Sequence, residues 1–556
     1  MSKYAPSALL WRIFVAGFCC NMLAVQAYGL EESIQAGGSN AAAVHQLGET
    51  GEGVNIGLIM ARNVRDTHEA FKDGYGVSHA FNYDFSGSGI LIDWHDTRLA
   101  GIISSRGGAA FPNDIGVAPG ADIYCARIVD DACSIDWYEL SNALAELTTT
   151  HNCKVIVTGF QLEGIPYDGN SYWTLLYDYY AYQNGVVFAN AAGNNNTDVT
   201  IFGDAYNGIT TGGLRLNDVN NQFDYRRVGS ISGSGPTDDG RRKPDITAPS
   251  QSQTVPTSSS DTAWTTTGTT LGETSWSVPH TAGAAALLLG LADNTSEPND
   301  NRSEVIKAVL VNSVMPNIND KAGNFTNPAD SNNAWQNQRG YGRLDALRAY
   351  QTLNTNEVEP DVNITQNKGW AFGQLTQGAT NTYTISIAMP CRLIATLTWQ
   401  RKIEWVDKWP RNQILEPDEL HTYLADLDMI VYSPYEPNAI FSQTLFNLDP
   451  NDNLEKCDLL VTEPGDYTIV IDNDSTNGET ADYGLAFELH PIMTGDLPQV
   501  DYIVDYNDLS TLAEQWLLEG VEIDWLLSPN GIIDFADLAK LADHWLQTDP
   551  MYYPAQ

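Results

Sequence analysis

From Ala282 to Leu291 the chain reads Ala-Gly-Ala-Ala-Ala-Leu-Leu-Leu-Gly-Leu, a helical run without a polar face. A helix apolar all round has to be covered on every side, so it belongs at the centre of a layered fold. It is also too short to cross a bilayer, which takes about 20 apolar residues. Directly before it, Glu273-Thr274-Ser275-Trp276-Ser277-Val278-Pro279-His280-Thr281 puts a serine at the mouth of the helix. Backbone amides of a first helical turn lack partners and sit at the positive end of the helix dipole, so they favour an anion beside them. A hydroxyl placed there suits a nucleophile whose attack creates an oxyanion.

The surroundings supply the layers. Between Gly51 and Tyr350, short apolar runs alternate with helical patterns, the signature of a parallel sheet covered on both faces. Val54–Met60, Ile123–Val129, Val155–Val157 and Val186–Ala189 read as core strands, and Trp137–Leu147 and Tyr172–Tyr182 as amphipathic helices. The fold class is therefore α/β for this part. At 556 residues the chain exceeds the roughly 250 to 300 that one core serves. After Leu353 the pattern turns polar and then alternates, and Tyr383–Met389, Leu393–Trp399, Leu427–Tyr432 and Tyr467–Ile471 read as strands of an all-β sandwich over 360–492. Over 495–548 a repeat follows, in which Ile503-Val504-Asp505-Tyr506-Asn507-Asp508-Leu509 recurs as Ile532-Ile533-Asp534-Phe535-Ala536-Asp537-Leu538, each copy heading a short helix with an apolar stripe.

Lys3 and Arg12, the apolar stretch Ile13–Val25 and the small residues Val25 and Ala27 fit a signal peptide over 1–27, so we expect a secreted, periplasmic or cell-surface protein. No later apolar run reaches membrane-spanning length, and no membrane association is expected after signal cleavage. A formal net charge of −41 repels nucleic acid and anionic lipid. Beyond the signal, Cys125, Cys133, Cys153, Cys391 and Cys457 make an odd set. Cys391 and Cys457 either bridge within the sandwich or stay as buried thiols.

Several segments in order resemble the subtilisin-like (subtilase, peptidase S8) serine proteases, across residues 28–353. The family pattern Gly-Thr-Ser-x-Ala-x-Pro-His stands here as Glu273-Thr274-Ser275-Trp276-Ser277-Val278-Pro279-His280, departing at the glycine and the alanine. His95-Asp96-Thr97-Arg98-Leu99-Ala100-Gly101 resembles the string that holds the general base. Ala191-Ala192-Gly193-Asn194 resembles the one that holds the oxyanion donor. The resemblance implies a subtilisin-like fold, hydrolysis of peptide bonds in a protein or peptide substrate, Ser275 as nucleophile, His95 as base and Asn194 as oxyanion donor.

The family's acid is absent. Gly53-Val54-Asn55-Ile56-Gly57-Leu58-Ile59 runs into Met60-Ala61-Arg62, so the acid position falls on Met60 or Ala61, neither of which can carry charge. Losing that carboxylate costs on the order of 10⁴-fold in turnover in subtilisin-type and chymotrypsin-type triads. Asp66, Glu69, Asp93 and Asp96 all lie near enough in sequence to stand in. A catalytically dead pseudoprotease serving as a protein-binding scaffold is the alternative to an enzyme.

The segment with Leu397-Thr398-Trp399 and Pro464-Gly465-Asp466-Tyr467 resembles the jelly-roll domains that follow many subtilases, and the terminal repeat resembles dockerin. The latter implies Ca²⁺ held by Asp501, Asp505, Asp508, Asn530, Asp534 and Asp537, and a cohesin-like protein partner. Against it, the first ligand positions are Leu497 and Leu526, which cannot coordinate.

Overall fold

The computed structural model describes residues 29–216, 224–269, 271–325, 334–408, 415–435, 451–497, 502–518, 527 and 531–552. The expected signal segment 1–27, Asp501 and Asn530 lie outside them. Strands β1 (Asn55–Met60), β2 (Ala80–Asp84), β3 (Asp122–Arg127), β4 (Val155–Thr158), β5 (Val187–Ala191), β6 (Ile209–Arg215), β7 (Arg227–Val228) and β8 (Ile246–Pro249) form one sheet. Its order is β2-β3-β1-β4-β5-β6-β7, with β8 also paired to β6. All pairs are parallel except β6 with β7. Strands β4 and β5 are buried at every residue. Near-continuous apolar runs of this kind are what helices on both faces require.

The strand order reverses at β1, whose neighbours are β3 on one side and β4 on the other. Open parallel sheets place ligands beyond the carboxyl ends of their strands at such a point. Two helices converge there. The helix Val278–Ala292 is buried along its whole length, as its composition requires. The helix Trp94–Ser104 packs against it and begins at Asp93, whose side chain accepts the His95 N–H at 2.7 Å.

Two four-stranded sheets make up the sandwich. One runs Asn363–Ile364, Thr380–Ile387, Gly465–Asn473, Leu427–Tyr432, and the other Lys368–Leu375, Ala481–Pro491, Cys391–Trp399, Leu454–Val461. Cys391 pairs with Val461 while Cys457 pairs with Ala395. Four residues of strand, about 13 Å, therefore separate the cysteines along the ladder. They are free thiols, not a bridge, and burial pushes both up to about 12. The terminal helices Tyr506–Glu514 and Phe535–Asp543 share a small core of Leu497, Val504, Leu512, Ile533 and Leu541.

The sandwich shares a core with the α/β part: Trp370, Leu454 and Ala486 belong to the same apolar cluster as the helix Val278–Ala292. The second sheet lies on the helix Ser303–Asn312, with Thr398 Oγ1 donating to Glu304 O at 2.7 Å and Lys456 Nζ to Val311 O at 2.7 Å. Gly484 is required there, because a Cβ would stand 2.5 Å from the Glu304 carbonyl. Beside it Arg401 reaches from the sandwich to Asp178 at 2.6 Å, with both side chains buried. No helix of the described residues is long and apolar enough to cross a membrane. Removing one member of a buried ion pair typically costs about 3–5 kcal/mol. Arg401→Ala is therefore expected to lower unfolding free energy by that amount in a denaturant titration; a change below about 1 kcal/mol would mean that the pair does not hold the junction.

Candidate active site

The site assembles beyond the carboxyl ends of β1, β4 and β5. Ser275 sits in a single 3₁₀ turn, Thr274–Trp276, ahead of the buried helix, and is 8% exposed. Its Oγ donates to the carbonyl of Gly159, just past β4, at 3.0 Å. A side chain at 159 would collide with Leu99, whose Cδ1 would lie 2.2 Å from the new Cβ, so glycine is what lets the base helix approach.

Asn194, just past β5, is keyed to Thr274, the residue before Ser275. Its Oδ1 accepts from Thr274 N–H at 2.8 Å and from Thr274 Oγ1 at 3.1 Å. Its own N–H donates to Gln161 Oε1 at 2.7 Å. With the amide oxygen doubly engaged, Nδ2 is left as the donor end, the end an oxyanion needs.

His95 opens the base helix. Its Nδ1 lies 3.0 Å from Asp96 Oδ1, and the other oxygen of Asp96 accepts the Arg62 N–H at 2.7 Å. A carboxylate only accepts, so Nδ1–H is the donor in this contact. The imidazole also touches Trp94 and Trp276, with ring centroids at 5.7 and 5.1 Å. Because Trp276 directly follows the nucleophile, this contact brings the two segments together. Leu30, Ile102 and Val255 back the Trp276 ring. In this resting arrangement the Ser275 hydroxyl is engaged by Gly159 and not by His95.

The ambiguity over the acid position resolves by face. Met60 packs with Leu99 and Ala100 on the side of the base helix, whereas Ala61 packs on the opposite side of the sheet. Its thioether lies beside Gly159. Met60, and not Ala61, is thus the β1 residue on the side of the helix that carries His95. Of the nearby carboxylates, Asp93 caps the base helix and Glu69 accepts from Trp264 Nε1 and Ala109 N–H. Among the described residues, Asp96 is the carboxylate on the His95 ring.

His280, three residues into the buried helix, plays a different part. Gln253 Nε2 donates to its Nε2 at 2.9 Å, and its Nδ1 meets Ser39 Oγ at 3.1 Å. Complete burial lowers it to about 3, so it is neutral and structural.

Trp276 and the Arg62 amide did not stand out as site residues in the sequence, because both depend on contacts between distant segments. Gly159 lies in the segment Val157–Gly164 that stands where the family carries its Ser-x-Gly-Gly edge. Of the calcium candidates, Asp505, Asp508, Asp534 and Asp537 are described. They form two helix-starting boxes: Asp508 accepts N–H groups from Leu497 and Asp505, and Asp537 accepts from Asp534. Leu497, at the first ligand position, is buried in the apolar core. Among the described residues no group of three or more His, Cys, Asp or Glu is placed to hold a metal ion.

Comparison with known families places this geometry. The model of the subtilase family (Peptidase_S8) matches residues 58–342, over half of the chain. The chain belongs to the subtilase family. Similar solved structures include the prenylagaramide maturation protease PagA, 20% identical over 57% of this subtilase and 99% of that chain, with a TM-score of 0.43. Another is a cold adapted subtilisin-like serine proteinase, 22% identical over 50% of this chain and 88% of its own, with a TM-score of 0.37.

The buried His280 gives this subtilase a pH signature. Its folded pKa lies below the unfolded value near 6.5, so the unfolded chain binds the extra proton as pH falls between about 6.5 and 3 and stability is lost there. From pH 7 to 4 the loss from this residue should be roughly 3 kcal/mol. Denaturant titrations at both pH values should show that loss shrink in His280→Asn; equal losses would refute a neutral buried imidazole.

Proposed function

We propose that the chain is an exported serine endopeptidase, with Ser275 as nucleophile, His95 as general base and Asn194 as oxyanion donor. The observation that carries this reading is the anchoring of Asn194 Oδ1 by Thr274, which leaves the amide NH₂ as the donor beside Ser275. In the reaction, Ser275 Oγ turns from Gly159 towards Nε2 of His95 and gives up its proton as the O–C bond forms to the substrate carbonyl. The carbonyl oxygen takes the negative charge, met by Asn194 Nδ2 and the amides of the nucleophile's helical turn. His95 then passes the proton to the leaving amine as the C–N bond breaks, and water, deprotonated by the same Nε2, releases the acyl group. The charged, apolar and small-residue order of the first 27 residues supports export.

A second role rests on the terminal repeat. Tyr506 and Phe535 occupy corresponding positions in the two copies and are 77% and 76% exposed, each against a tryptophan of the other copy. Two matching exposed aromatic patches support docking of a protein partner of the cohesin type.

A fluorophosphonate probe tests the catalytic reading. The full chain should be labelled on Ser275 and Ser275→Ala should not, while Asn194→Ala should react about 10²- to 10³-fold more slowly. A wild-type chain that stays unlabelled would favour the pseudoprotease scaffold.

A further inference from the structure

We propose that Asp96, the residue immediately after the base, positions His95 in place of the acid that β1 lacks. This rests on the reading of Ser275 and His95 as nucleophile and base. The two oxygens of Asp96 have separate tasks. Oδ1 accepts a hydrogen bond from the Nδ1–H of His95 at 3.0 Å, and Oδ2 accepts the Arg62 N–H at 2.7 Å, two residues past Met60. The carboxylate is thus anchored to the end of β1, where the missing acid would stand, although it comes from the base helix.

Burial makes the contact effective. The Asp96 side chain is 3% exposed, so its charge is little screened, and the imidazolium that forms during proton transfer lies against it. The ring is further braced by Trp276, itself packed on Leu30, Ile102 and Val255. Two functions of the usual acid, holding the Nδ1–H tautomer and stabilising the cation, are therefore present without an acid on β1. Met60 in turn has no charge to fulfil and fills the apolar space beside Leu99.

Labelling rates of the full chain with the fluorophosphonate, followed across pH, test this role. Asp96→Asn should slow labelling of Ser275 by about 10³- to 10⁴-fold near neutrality and move the midpoint of the pH–rate curve to lower pH, because the imidazolium loses its counter-charge. Adding Met60→Asp to that variant should recover at least tenfold, and Asp66→Asn should label like wild type. In the otherwise native chain, Met60→Asp should gain nothing, since the position is already served. Labelling of Asp96→Asn within threefold of wild type, or its loss without a shifted midpoint and without recovery by Met60→Asp, would overturn the role. So would a hundredfold gain from Met60→Asp alone, a result that does not depend on Asp96→Asn folding. These results leave the protease reading standing, whereas an unlabelled wild type removes both.

Discussion

The rest of the structure depends on burying one helix on every side. Val278–Ala292 has no face that tolerates water, so sheet, base helix and sandwich-bearing segments all close around it. Its mouth is thereby fixed relative to the ends of β1, β4 and β5. Ser275, Gly159, Asn194 and the start of the base helix meet because that one element cannot be anywhere else. Glycine and alanine along it permit the close approaches: a Cβ at Gly283 would stand 2.5 Å from Val117.

Within that frame the proposed base meets an electrostatic constraint. A base needs its Nδ1 proton held and its cation stabilised, and β1 offers a methionine. The carboxylate that meets His95 comes from the next residue, turned inward and held by the Arg62 backbone amide. A helix start permits this, since Asp93 already satisfies the His95 amide and leaves Asp96 free to turn towards Arg62.

Much of this was legible in the sequence. The strands β1 and β4, the buried helix and the sandwich strands Cys391–Trp399 and Leu427–Tyr432 follow from apolar periodicity, which local residues carry by themselves. Ser275 and Asn194 were candidates from their motifs, and the fold brings their two segments into contact. Asp96 was one of four equal candidates, because neighbours on a helix normally point about 100° apart and adjacency alone says nothing of contact. The choice between Met60 and Ala61 needed the two faces of the sheet. The free state of Cys391 and Cys457 needed the strand register, and the Arg401–Asp178 pair links positions 223 residues apart. Each of these is a long-range geometric fact that no local pattern encodes.

The proposed role of Asp96 requires that His95 donate a hydrogen bond from Nδ1–H to its carboxylate. The most direct measurement is proton NMR of the full chain with ¹⁵N-labelled histidine, assigning the ring by its loss in His95→Gln. The account requires a low-field Nδ1 proton resonance from His95 that disappears in Asp96→Asn and persists in Asp66→Asn. A His95 ring without a protected Nδ1 proton, or one whose resonance survives Asp96→Asn unchanged, would contradict it.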